Sequence, residues 1–194
     1  MPLITTLAGA SARGYGGLRT FAVPGTYESI ATVTVGSGGS SEINFTSIPS
    51  TYTHLQIRLI GRITDSATEI RVKFNDDTNT ANYFWHELYG TGSSVGASSQ
   101  TSGGTPLRTM YWGGLPATAN IFGAGVMDIL DYASTNKNKV LRMLSGYDTN
   151  GAGYLHLDSG LWMSLKAITK ITLYPPSTTL AQYSQFALYG IKGA

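Results

Sequence analysis

The chain contains no cysteine, which removes disulfides, thiolate metal sites and cysteine nucleophiles, and with them the small secreted domain held together by bridges. Charge is scarce too. Asp, Glu, Lys and Arg make up 12% of the 194 residues, about half the ~25% of an ordinary globular domain. No apolar run approaches the ~20 residues of a bilayer-crossing helix, so no membrane span is expected. The opening residues Met1 to Ala10 lack the basic segment and unbroken apolar stretch of a secretory signal, which points to a soluble product of a cytoplasm. No stretch of about twelve residues carries a helical period of apolar positions.

Nor is there a basic stripe. The net charge of +2 comes from 13 basic and 11 acidic residues, and two of the bases, Arg13 and Arg19, precede the first acid, Glu28. The body that follows is therefore balanced. Nucleic-acid binding needs clustered cations that neutralise several phosphates, and none is expected here.

What is present is 42% hydrophobic residues, 24 Gly and 12 Tyr, a composition that suits an all-β body with many turns. Residues 1–26 form a first zone of small residues with single anchors, Ser11-Ala12-Arg13-Gly14-Tyr15 among them. Ordering so much glycine costs backbone entropy, and the zone lacks apolar alternation. It reads as an extended N-terminal arm, either a tail or a peptide that docks on a partner through Arg13 and Tyr15, residue types that anchor interfaces.

From residue 27 the pattern becomes strand-like. Ser29–Val35, His54–Arg62 and Glu69–Phe74 alternate apolar and polar with a period of two. Glu42–Phe45 is expected to return as a hairpin partner of the first strand. Tyr83–Tyr89 is an aromatic strand, and 90–106 a long Gly/Ser/Thr loop. Leu107–Trp112, Gly125–Tyr132, Asn138–Leu144, Tyr154–Leu157, Leu161–Leu165, Ile168–Tyr174 and Gln185–Ile191 complete the set, with Asn150-Gly151 as a hairpin turn. Roughly eight to ten strands punctuated every 8–12 residues predict an antiparallel β-sandwich over 27–194, most simply a jelly roll. An immunoglobulin-like sandwich fits less well, because it needs only about seven strands and ~100 residues.

Chemistry is sparse. Gly92-Ser93-Ser94-Val95-Gly96 spells a nucleophile elbow, but that motif works only as a strand-to-helix turn, and no helix follows. His54, His86 and His156 are far apart, and alternation turns His54 and His156 away from the core, so no metal site and no cofactor is expected. Asp76-Asp77 and Asp148–Gly151 read as turns. Asp128 and Asp131 give no defined separation for a glycosidase pair. The large aromatics Tyr83, Phe84, Trp85, Tyr111, Trp112 and Trp162 are first of all core material. Adjacent strand residues face opposite sides, so one of Phe84 and Trp85 is exposed or covered by another subunit. Trp85, Tyr111 and Trp112 are the candidates for glycan or subunit contact.

Two sets of segments resemble a known group. The opening Ala10-Ser11-Ala12-Arg13-Gly14-Tyr15-Gly16 is similar to the leader of many small virion structural proteins of tailed bacteriophages. The body resembles a recurrent phage β-domain at Phe45–Arg58, Leu88-Tyr89-Gly90, Ala167–Pro175 and Phe186–Lys192. The resemblance implies a non-enzymatic particle component at the virion surface, attached through Ser11, Ala12, Arg13, Gly14 and Tyr15, with Arg19 in the same arm. It implies as partners the major capsid protein or tail and baseplate proteins, and a homo-oligomer, commonly a trimer. The roles that follow are capsid decoration (cement) protein or short tail- or baseplate-associated fibre; a virion-displayed glycan-binding module is the alternative.

Overall fold

A computed structural model describes residues 26–64, 69–101, 103, 106–111 and 119–193, with the backbone course alone for 109–111. The arm residues Ser11, Ala12, Arg13, Gly14, Tyr15 and Arg19, and also Trp112, lie outside the described residues.

The described chain is all-β. Its strands are β1 (Tyr27–Thr34), β2 (Ile43–Phe45), β3 (His54–Gly61), β4 (Glu69–Phe74), β5 (Tyr83–Gly90), β6 (Val95–Gln100), β7 (Leu107–Tyr111), β8 (Gly123–Leu130), β9 (Lys139–Asp148), β10 (Gly153–Trp162), β11 (Ile171–Tyr174) and β12 (Gln185–Ile191). One turn of 3-10 helix, Thr80–Asn82, precedes β5. The strands form an eight-stranded sheet in the order β1-β12-β3-β8-β9-β10-β5-β6 and a four-stranded sheet in the order β2-β11-β4-β7. Every pairing is antiparallel. The expected antiparallel sandwich is borne out, and its form is jelly-roll-like. No helix among the described residues is long and apolar enough to cross a membrane.

Alternation explains why the sheets stack. In β3, Leu55, Ile57 and Leu59 point inward while Gln56, Arg58 and Ile60 point out; in β4, Ile70, Val72 and Phe74 do the same from the smaller sheet. Met127, Ile129, Leu141, Met143, Phe186 and Leu188 join them from the large sheet, and Ile43, Phe45, Ile171 and Leu173 from the small one. Each large apolar side chain taken fully from water contributes about 1.5–3 kcal/mol. A single continuous core results.

Several expectations are corrected. β2 does not return beside β1: it crosses to the small sheet and pairs with β11, while β1 pairs with β12 at the other end of the chain. Pro49, which has no N–H to offer a ladder, then separates β2 from β3. Residues 90–106 are not one loop, because Val95–Gln100 form the edge strand β6 against β5. Pairing satisfies a backbone whose side chains are too small and polar to announce a strand. Leu161–Leu165 is not a separate strand; its first two residues end β10, and Met163 and Leu165 are exposed beyond it. The described residues form twelve strands, more than the eight to ten expected.

Three turns follow their local chemistry. Asn150 and Gly151 both take positive φ between β9 and β10, and Thr149 N–H donates to Ala152 O at 2.8 Å. Asn75 and Asp76 take φ of 51° and 56° after β4, conformations that Asn and Asp tolerate better than most residues. Thr91–Ser94 closes the β5–β6 hairpin with Gly92 at φ 86°, so the Gly-x-Ser-x-Gly spelling lies in a hairpin turn followed by a strand.

Candidate functional site

β7, the edge strand of the small sheet, passes over β9, β10 and β5 of the large sheet. Here the inward positions change from apolar to polar. On β10 they are Tyr154, His156, Asp158, Gly160 and Trp162; on β5 they are Tyr83, Trp85, Glu87 and Tyr89. The register sets His156 opposite Tyr89 and Asp158 opposite Glu87 on one side, and opposite Ser145 and Met143 of β9 on the other.

Glu87, His156 and Asp158 are all buried, and one ligand atom from each lies within 4.8 Å of the others. Arg108 reaches down from β7, lays its guanidinium 4.3 Å over the Trp85 ring and pairs with Glu87 Oε1. The same guanidinium approaches Glu69 at 3.8 Å, and Glu69 is held by Arg71 at 2.5 Å. Glu87 Oε2 points the other way, toward His156 Nδ1 at 3.5 Å. Asp158 Oδ2 and Ser145 Oγ are buried without a hydrogen-bond partner among the described residues.

Burial dominates the electrostatics. It pushes the Asp158 carboxyl up to about 7, reinforced by the Glu87 charge and opposed by Arg108. Burial also lowers the His156 imidazole, against the opposing pull of the Glu87 carboxylate. At neutral pH His156 is therefore a neutral imidazole.

Beside the cluster a cleft of about 250 Å³ is lined by Glu87, Tyr89, Ser98, Tyr154 and His156. The His156 ring stacks against both Tyr89 and Tyr154 with centroids at 5.6 Å, and Tyr154 stacks on Tyr147 at 5.7 Å. The cleft falls below the ~300 Å³ of a drug-sized pocket. Asp158 does not line it, and Glu87 is occupied by Arg108. Among the described residues that line the cleft, Glu87 is the carboxylate.

The residues singled out from the sequence fare unequally. Trp85 is not on an exposed platform: it is 9% exposed, lies between the sheets under Arg108 and donates from Nε1 to Gln100 Oε1 at 3.3 Å. Phe84, half-buried, is the one that faces outward. Tyr111 ends β7 at the edge of the small sheet, where its backbone pairs with Glu69. His156 does not point away from the core; it is 3% exposed, because β10 is a full inner strand whose odd-looking polar positions share a face with Trp162. His86 is exposed on the outer face of β5, and His54 accepts from Asp131 N–H at 3.0 Å. Asp77 does more than turn the chain: it accepts from Asn82 and from Trp162 Nε1, each at 2.8 Å. The functional residues missed from the sequence are Glu87, Arg108 and Asp158. Their signal was present in His156-x-Asp158, an i, i+2 polar pair that any strand places on one face.

The outer face of the same sheet is apolar. Leu88, Leu157, Leu144 and Val126 form one cross-strand row over β5, β10, β9 and β8, and Leu88, Leu157 and Leu144 are 55%, 52% and 47% exposed. Leu155 and Val140 are exposed on the same face of β10 and β9. Arg142 and Asp128 pair beside it at 3.2 Å, and Arg58, the register partner of Val126, stands exposed at its end.

No protein-family model and no curated protein matches the chain. Among solved structures it is similar to the Caenorhabditis elegans galectin LEC-6, with 9% identity over 84% of this chain and 96% of that one, at a TM-score of 0.34.

Proposed function

We propose that this chain is a non-enzymatic structural protein of a bacteriophage virion, displayed at the particle surface as a capsid decoration protein or a short tail- or baseplate-associated fibre. Its N-terminal arm joins it to the capsid or tail proteins, and its β-domains associate with one another, as a trimer on the family resemblance. The observation that carries the reading is the apolar outer face around Leu88, Leu144 and Leu157. Monomeric soluble proteins rarely expose a contiguous apolar patch of more than a few hundred Å². The row itself is uncharged and the Arg142–Asp128 pair beside it is balanced, with Arg58 at its rim. The Ala10–Gly16 leader supplies the phage assignment by resemblance.

The test is to delete residues 1–20 and follow the protein into particles. The truncated chain is expected to stay folded and to be missing from purified virions. Normal incorporation would overturn the role of the arm, and a monomer at all concentrations in the full-length protein would overturn the role of the outer face.

A second reading is a glycan-binding module on the virion. The observation favouring it is the inner cleft, where the Tyr89, His156 and Tyr154 rings stand beside the polar Glu87 and Ser98. A glycan array with the intact protein separates the two, since a pure decoration protein gives no selective signal.

A further inference from the structure

We propose that Glu87 Oε2, His156 and Asp158 form a binding site for one divalent first-row transition ion, zinc being the best fit, buried between the sheets beside the inner cleft. The three side chains offer one imidazole nitrogen and two carboxylate oxygens within 4.8 Å of one another, a hard-to-borderline donor set suited to Zn²⁺.

Geometry is the first support. Bonds of about 2.0–2.2 Å set tetrahedral donors roughly 3.4 Å apart, and Glu87 Oε2 already lies 3.5 Å from His156 Nδ1. The third donor, within 4.8 Å of the others, closes by up to about 1.4 Å to reach that spacing. The strands supply the rigidity, because His156 and Asp158 are two apart on β10 and Glu87 is the register partner of Asp158 on β5.

Charge is the second, independent support. Arg71 and Arg108 meet the carboxylates of Glu69 and Glu87, and the third carboxylate, Asp158, lies beside them. Arg108 grips Glu87 by Oε1 and leaves Oε2 for the site. Asp158 is 4% exposed, and its Oδ2 has no partner among the described residues. A buried carboxylate in that position must take up a proton or a cation, and Glu87 and His156 supply further donors within 4.8 Å. Two of the three ligands, Glu87 and His156, line the cleft together with Tyr89, Ser98 and Tyr154, which gives an ion a path from solvent.

The experiment uses the full-length protein after chelation and dialysis, titrated calorimetrically with ZnCl₂ and MnCl₂ near pH 7.5, with bound metal counted by mass spectrometry. One equivalent of zinc per chain and a rise in melting temperature on loading are expected. Asp158→Asn and His156→Gln should each weaken zinc binding at least about tenfold, while His86→Gln, on the opposite face of β5, leaves it unchanged. Circular dichroism establishes that each variant is folded. Should one ligand variant fail to fold, Glu87→Gln provides the same reading from the other strand. Absence of a saturable one-equivalent site for either metal in the folded wild type overturns the proposal. Binding that survives both Asp158→Asn and His156→Gln, or that is lost in His86→Gln alone, overturns it as well.

Discussion

Asp158 of β10 and Glu87 of β5 stand directly opposite one another, and both carboxylates face the interior of the sandwich. Like charges opposed across a ladder are destabilising, and burial sharpens the conflict because little water is present to screen it. Arg108 resolves half of it by pairing with Glu87. The other half is left with Asp158, whose carboxyl burial pushes up to about 7. An arrangement that costs stability in the bare protein belongs to the strained local features that mark functional sites.

Removing that charge should therefore stabilise the protein when no metal is available. In chelator-treated protein at pH 8, Asp158→Asn is expected to raise unfolding stability by about 1–4 kcal/mol, the upper value being the whole shift at about 1.4 kcal/mol per pH unit. Urea melts of the two proteins measure it. Equal or lower stability in the variant would show that Asp158 is compensated by a group other than those facing it.

Asp77 ties the end of β4 to the end of β10. Burial raises its carboxyl, but hydrogen bonds from Asn82, Trp162 and the Asn79 N–H outweigh that and hold it below its ordinary 3.8. A depressed carboxylate stabilises the fold above its unfolded pKa and loses that contribution as pH falls through the folded value. Asp77→Ala should cost about 2 kcal/mol at pH 7, since it leaves the Trp162 indole N–H, buried at 1% exposure, without its acceptor. The gap between wild type and variant should narrow by pH 3. A gap of the same size at both values would mean that the neutral acid serves equally well.

Gly160 occupies an inward position on β10 between Asp158 and Trp162. A Cβ there would approach Leu141 at 2.9 Å and Leu107 of the opposite sheet at 3.0 Å. Gly160→Ala should destabilise by about 1–3 kcal/mol through overpacking, and Leu107→Val in the same chain should recover part of the loss. A double variant no more stable than the sum of the single changes predicts would argue that the sheets cannot shift to make room.

On the outer face, Leu157→Lys places a charge in the middle of the apolar row at a residue already 52% exposed. The isolated domain should lose less than about 1 kcal/mol, as ordinary surface substitutions do. Association measured by light scattering or sedimentation should fall at least tenfold. If the assembly keeps its size and affinity, the copies meet elsewhere.

Much of the fold was legible because it depends on local alternation. β3, β4 and β12 have the side-chain pattern of half-buried or buried strands, and Asn150-Gly151 carries the backbone preference its hairpin needs. β6 was not legible, because Val95–Gln100 holds no apolar alternation and becomes a strand only through its ladder with β5. His156 was misplaced for a related reason. Alternation says which residues share a face, and polar neighbours on that face do not reveal whether it looks toward water.

The amino-acid order alone determined the class: turns too frequent for helices, apolar positions two apart, and a body without net charge leave a stacked antiparallel sandwich as the way to bury the core. Only the tertiary structure decided which face of β10 is inside, and hence that Glu87 and Arg108 meet His156 and Asp158. Those four residues come from three strands and both sheets. Their meeting depends on cross-strand register and on β7 crossing over the large sheet, which are long-range pairings that short-range pattern does not encode.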